Sequence, residues 1–435
     1  MSDAPPIAIP GRKLQSLDGL RAIAIILVFF SHLKNQIPVW SIPSYYLRWY
    51  VGQGWIGVDL FFVLSGFLIT GILIDSRNAQ NYFSGFYARR VLRIFPLYYL
   101  VLIAVLAFNW ILASLHAPSA HQVASLVPLR EDRWTYFCFL TNWIALWKAQ
   151  WDGNFGSMLA HFWSLAIEEQ FYFFWPFILW IVRPRAIPWI AGGVALLSAV
   201  LRFAWAAHLG LNLLVPPAVV EIQIATICRL DGLFIGALCA YLIRDPKLMQ
   251  RISRWLPSVA VLGIGSLFAA FSAMLLYPQR TSLLLYHRFP AFPHTLEDPP
   301  RLFVVFGGYS LLALGFGALV LLAAYTENKK TRMTKFLQSR ILAPVGKYSY
   351  GIYVFHVPVL GLANIYVLSK VKFHDSIEAA LFRLASIVVI GAITFFIAAF
   401  SYEFFEKKIL RFKRHFEPRF NSPPQPMKAR SATAE

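Results

Sequence analysis

GVDLFFVLSGFLITGILI, residues 57–74, carries a single ionisable side chain, Asp59. A helix rises ~1.5 Å per residue, so crossing the ~30 Å hydrocarbon core of a bilayer takes about 20 apolar residues. The stretch has that length and composition, which predicts a transmembrane helix over 55–75. Similar runs recur at about 20–37, 94–114, 162–182, 187–208, 224–243, 256–277, 303–325, 347–368 and 381–402. Together they predict an all-α, polytopic integral membrane protein of about ten transmembrane helices.

Composition leads to the same class. Of 435 residues 58% are hydrophobic and 14% charged, with a mean hydropathy of +0.57, which does not describe a water-soluble surface. The net charge of +19 would suit nucleic acid, yet the basic residues sit between the apolar runs and not on a separate polar module. Most fall in segments that alternation places on one side, as the positive-inside rule requires, so no nucleic-acid partner is expected and both termini are read as cytoplasmic. The expected organisation is a cytoplasmic N-terminal segment (1–19), a transmembrane domain (20–402) and a basic, partly disordered cytoplasmic tail (403–435). The segment 134–148 is aromatic but short, and counting it as a span would put Arg183 and Arg185 outside, so it is read as interfacial or re-entrant. Cys138, Cys228 and Cys239 follow no CxxC or zinc-like spacing and are read as packing residues, with no metal site expected.

Ionisable residues are costly inside a bilayer and are usually kept for a purpose. His32, Asp59, Glu168, Glu169, Arg202, Arg229, Asp231 and His356 all fall within predicted spans or near their ends. Counting rise per residue places them at similar depths. Any one of them could be a structural ion pair; as a set they suggest an acid/base site for a polar substrate. A second group, Arg89, Arg90 and Arg93, lies at the inner end of the third run. The planar fork of arginine suits phosphate, and topological anchoring is the competing reading. GQGWIG (52–57) fits GxGxxG but has no strand before it, and Ser65 lacks a G-x-S-x-G context, so neither is read as a site. On residues alone, transport and catalysis both stay open.

The longer motifs resemble a known family, the membrane acyltransferase-3 group. LDGLRAIAIILVFFSH (17–32) resembles its first span, with Arg21 and, eleven residues on, His32. GVDLFFVLSGFLIT (57–70), FYARRVLRIFPLYY (86–99), HFWSLAIEEQFYFFWP (161–176), RLDGLFIGALCA (229–240) and SYGIYVFHVPV (349–359) follow in the family's order. In SYEFFEKKIL (401–410) relatives commonly place a proline two residues after the glutamate, where this chain has Lys408. The resemblance implies an O-acyltransferase in a bacterial inner membrane, moving an acyl group, with acetyl the expected one, from cytosolic acyl-CoA to a carbohydrate, lipid-linked glycan or macrolide-like acceptor. Some relatives carry a fused SGNH hydrolase-type domain; none is seen here, so a separate partner that accepts the acyl group is one expectation.

The roles then expected are His32 as general base on the acceptor hydroxyl, Asp59 orienting His32, and Glu168 polarising the acceptor. Arg21, Arg90 and Arg93 would hold the phosphates of acyl-CoA, with acetyl-CoA the expected co-substrate. Trp163, Arg229 and His356 would bind substrate, and acceptor choice would lie in outer loops 115–160 and 278–302. A covalent intermediate, a transporter and a scaffold in an export complex remain as alternatives.

Overall fold

Backbone polar groups find no partner in hydrocarbon, so a chain this apolar must satisfy them within helices. The computed structural model describes residues 14–39, 41–114, 133–143, 158–208, 222–276, 307–371 and 376–420, and every regular element among them is helical. The principal helices are α1 (Gln15–His32), α2 (Ile42–Gly52), α3 (Ile56–Asp75), α4 (Tyr82–Ser114), α5 (Phe162–Ile181), α6 (Ile187–His208), α7 (Leu230–Leu242), α8 (Leu256–Leu276), α9 (Tyr309–Tyr325), α10 (Ser349–Ala363) and α11 (Ser376–Ser401). Each of the ten predicted runs coincides with one of these. Seven helices among the described residues are long and apolar enough to cross a membrane, and α7 and α9 are shorter apolar helices.

The ends of the helices sort as the alternation predicts. The Gln15 and Ser16 amides donate to the Glu327 carboxylate at 2.8 and 3.1 Å, Arg77 donates to the Val182 carbonyl at 2.5 Å, and Arg244 forks onto Asp75 at 3.1 and 2.8 Å. Lys347 donates to Glu403 at 2.6 Å, and that hydrogen bond holds the lysine proton more tightly than in a free side chain. Segments expected on the cytoplasmic side thus meet at one end of the bundle, called the inner end below.

Helix crossings at the centre are tight because small residues face each other. A Cβ on Gly66 would collide with the Leu233 carbonyl, and one on Gly236 with the Val63 carbonyl, so α3 and α7 pack backbone to backbone.

Three features differ from expectation. Helix α4 begins at Tyr82 and not near 94, because FYARRVLR is amphipathic and extends the helix through its arginines. The sixth run is broken: α7 starts only at Leu230, after a 3₁₀ turn at Thr226–Cys228. Side chains take carbonyls that a continuous helix would use, with Asn142 on Ile224 at 3.1 Å, Ser198 on Ile227 at 2.9 Å and Arg202 on Cys228 at 2.8 Å. Helix α2 was not anticipated; a Ser41/Ser44 capping box starts it, and it leaves Ile42, Tyr45 and Leu47 exposed. The described part of the tail packs back on the start of α4, where Asn81 donates to the Glu417 carbonyl and the Arg419 amide donates to Asn81 Oδ1, both at 2.9 Å. In the segment 134–148, the described part holds a four-residue helix, Trp134–Phe137, too short to span. Outer-loop residues 115–132, 144–157 and 278–302, on which acceptor choice was placed, lie outside the described residues.

Candidate active site

Helix α1 ends at His32, whose Nδ1 lies 2.9 Å from the Val28 carbonyl. A carbonyl only accepts, so Nδ1 carries the proton and Nε2 keeps its lone pair, the form a general base needs. The His32 side chain is exposed. Behind it lies His356 of α10, buried, with ring centroids 4.9 Å apart and nearly perpendicular. Nδ1 of His356 donates to the Tyr353 carbonyl at 2.6 Å, and its Nε2 is buried without a hydrogen-bond partner. A third imidazole, His161, follows at 4.9 Å from His356, also buried. The three rings form a row running from an exposed edge into the core.

Sequence reading missed His161, which stands one residue before the predicted start of its span. The only signal was its place at the head of HFWSLAIEEQFY. Its surroundings are polar on one side: Tyr353 donates to the His161 carbonyl at 2.9 Å and meets the Ser164 hydroxyl at 2.5 Å.

Asp59 does not orient His32. Its Oδ1 accepts from Arg229 at 2.5 Å, and both residues are buried. Helix α3 runs antiparallel to α1, with Gly54 against Leu27 and Ser31 and Gly57 against Ala24 and Val28. His32 therefore lies level with the chain just before α3, and Asp59 sits five residues farther on, roughly 7 Å along the axis at ~1.5 Å per residue. Arg229, expected to bind substrate, is committed to this pair and to the face of Tyr309, 4.1 Å below its guanidinium. Arg202 completes the knot, bonding Asp231 at 2.6 Å and Ser310 at 2.7 Å. Trp163 is buried, with its ring edge-on to Phe62 at 6.3 Å.

Glu168 lies on α5 two turns inward of His161. Tyr172 donates to its Oε2 at 2.6 Å and Ser65 at 3.0 Å, and the two hydroxyls touch each other. Ser65, read from sequence as a packing residue, thus belongs to a carboxylate–hydroxyl cluster. Arg90 lies over the Tyr172 ring at 5.7 Å, so this cluster adjoins the arginine group at the inner end. Arg93 faces Glu406 at 3.8 Å and Tyr350 at 5.7 Å, and Arg21 bonds Asp18 at 3.0 Å. Lys413, from the turn after α11, is drawn into the same field, with Arg93, Arg90, Arg89 and Arg21 as its charged neighbours. Carboxylates share this field with them: Asp18 on Arg21, Glu406 facing Arg93, Glu169 near Arg90 and Glu417 near Arg89. From inside outward the polar groups run from these cations through Glu168, Tyr172 and Ser65 to Tyr353 and Ser164, then to the imidazole row. At the other end, a cavity of about 410 Å³ beside α2 is lined by Lys34, Asn35, Tyr45, Arg48, Trp49 and Gln53. Lys34 follows His32 by two residues.

No group of three or more potential metal ligands with suitable geometry occurs among the described residues. Residues 14–403 match the family described as "Acyltransferase domain". The peptidoglycan O-acetyltransferase OatA of Listeria monocytogenes is 30% identical over 408 residues, which cover 92% of this chain and 56% of that protein. The O-acetyltransferase OatA of Staphylococcus aureus (strain NCTC 8325 / PS 47) is 27% identical over 367 residues, 82% of this chain and 52% of that protein. The chain spans about half the length of the curated relatives it matches. No solved structure matches it.

Proposed function

This chain belongs to the acyltransferase family just described, and from that membership we propose that it is a membrane O-acetyltransferase taking acetyl from cytosolic acetyl-CoA to a hydroxyl of a glycan. The observation that carries the reading is the His32 imidazole: exposed, fixed in one tautomer, and joined by a file of polar side chains to a cluster of cations at the opposite end of the bundle. Acyl-CoA enters from the inner end, its phosphates on Arg90, Arg93 and Arg21, and its pantetheine arm follows the file past Glu168. The acceptor approaches through the cavity beside α2, within two residues of His32.

His32 Nε2 takes the proton of the acceptor hydroxyl as that oxygen attacks the thioester carbon. The carbon–sulfur bond then breaks, and the imidazolium returns the proton to the departing thiolate. Glu168, held by Tyr172 and Ser65, lines the donor path and does not face the acceptor, which revises its expected role. The protein resides in the bacterial cytoplasmic membrane, with the arginine end inward.

Purified protein in vesicles supplied with labelled acetyl-CoA on the arginine side and soluble glycan fragments on the other tests the reading. Labelled O-acetylated glycan is expected. Export of glycan without covalent change, or label that never leaves CoA, would overturn it.

A further inference from the structure

No hydrogen bond of good geometry reaches either ring nitrogen of His161, although the residue is buried with the backbone of Tyr353 and Val354 beside it, and Nε2 of the adjacent His356 is equally without one. Whichever tautomer His161 adopts, one nitrogen is an N–H donor and the other a lone pair. Buried polar groups are as a rule satisfied, and three orphaned nitrogens on adjacent rings mark a place made for a polar guest. Helix packing does not explain them, because a phenylalanine would fill the same volume against Phe162 and Tyr353 without leaving a donor stranded. The orphaned atoms lie in the core beside Tyr353, where the polar file that the proposed donor follows ends, while His32 stands at the exposed edge.

We propose that His161 is a further catalytic residue, whose N–H receives the thioester carbonyl oxygen of the donor and holds the charge that gathers there when the acceptor attacks. The inference rests on the acyl-CoA reading above and assigns that site its missing electrophilic partner. As the carbon–oxygen bond to the acceptor forms, the carbonyl π electrons move onto oxygen, which accepts from His161. When the carbonyl re-forms, the carbon–sulfur pair leaves with sulfur, and the thiolate takes the proton that His32 carries. His161 itself neither gains nor loses a proton. His356, its Nδ1–H fixed on Tyr353, is a positioning residue between the two, its ring held edge-on to both neighbours.

Two measurements test this on the full chain in detergent or vesicles. In the first, His161→Phe is compared with His161→Gln, which keeps an N–H donor. The expected result is a kcat lower by ~10²–10³-fold for the phenylalanine variant, within the range for removing one oxyanion donor, with KM for acetyl-CoA little changed and most of the loss restored by glutamine. Equal kcat in His161→Phe and wild type, or equal loss in both variants when both melt as wild type does, overturns it. The second needs no variant: a ketone analogue of acetyl-CoA, whose carbonyl cannot be cleaved, is expected to bind the wild type at least about tenfold tighter than S-ethyl-CoA, which has no carbonyl, as one good hydrogen bond implies. Equal binding of the two overturns the role of His161 while leaving acetyl transfer standing. A wild type that binds neither and transfers no label removes the donor reading and this inference with it.

Discussion

Two groups of polar side chains lie within the helix bundle, and they are built in opposite ways. In the knot of Asp59, Arg229, Asp231 and Arg202, every residue has an oppositely charged partner within 2.6 Å, and Tyr309 is sandwiched beneath both guanidinia. In the row of His32, His356 and His161 no carboxylate is bonded to any ring, and the nitrogens facing away from the backbone are unpaired. Paired charges in low dielectric lock helices α3, α6, α7 and α9 together. The contrast teaches that charge is balanced within the chain in one region, even though Asp59 Oδ2, Arg202 Nε and Arg229 Nε and Nη1 accept or donate no hydrogen bond there, and that in the other the imidazoles have no charged partner at all.

That contrast can be broken experimentally, and its strongest test is His32→Ala. Turnover should fall at least ~10²-fold, the low end for loss of a general base, while the variant accumulates and melts as the wild type does. Turnover that survives would detach the row from the chemistry. Next in size, Asp59→Ala or Arg229→Ala strands a buried charge, and ~3–5 kcal/mol of stability should be lost, read as a lower melting temperature and reduced membrane yield. The pair Asp59→Leu with Arg229→Met should regain much of that stability, because an apolar replacement of both partners leaves no charge unpaired. Full activity in a well-folded Asp59→Leu/Arg229→Met variant would confirm the knot as scaffold; loss of kcat alone would move it into the active site.

Smaller effects sharpen the picture at the inner end. Arg90→Ala should raise KM for acetyl-CoA by about tenfold, the equivalent of one charge-assisted hydrogen bond to phosphate, with kcat retained. An unchanged KM would leave Arg90 as a topological anchor. The least effect is expected from Lys347→Met, which removes the exposed pair with Glu403. Because the folded protein holds the Lys347 proton more tightly than the unfolded chain, any stability from this pair is complete at neutral pH and fades only as pH rises past the ordinary lysine range. Melting curves of wild type and variant should therefore coincide at pH 7 and above pH 11 alike, within error, since solvent screens a pair this exposed.

Much of the fold was legible because lipid imposes a simple rule on length and composition, and ten apolar runs became ten helices. The arginine group and His32 were singled out by motif and charge. Asp59 was misread because depth counted from each helix end treats helices as parallel rulers, and the antiparallel packing of α1 on α3 at Gly54 and Gly57 offsets them. The pairing of Arg229 with Asp59 was not legible, because Arg229 stands at a break in the sixth run where Asn142, Ser198 and Arg202, all distant in sequence, take the carbonyls. His161 went unnoticed for the opposite reason: nothing in its own neighbourhood of sequence is unusual, and its meaning comes only from the ring of His356 almost two hundred positions later. Helix α2 was hidden by its mixed composition, IPSYYLRWYVG, which suits the boundary between lipid and water and neither side alone.

The described end of the chain has a bearing on biogenesis. Lys413 and the turn that carries it reach their place only after α11 has been made, clamped by Asn81 to the start of α4. Likewise His356 arrives beside His32 when more than three hundred residues have followed the first helix. A ribosome-bound intermediate thus holds His32 without its imidazole neighbours and the inner arginine group without its last cation, so both clusters are completed only when the last helix has been inserted.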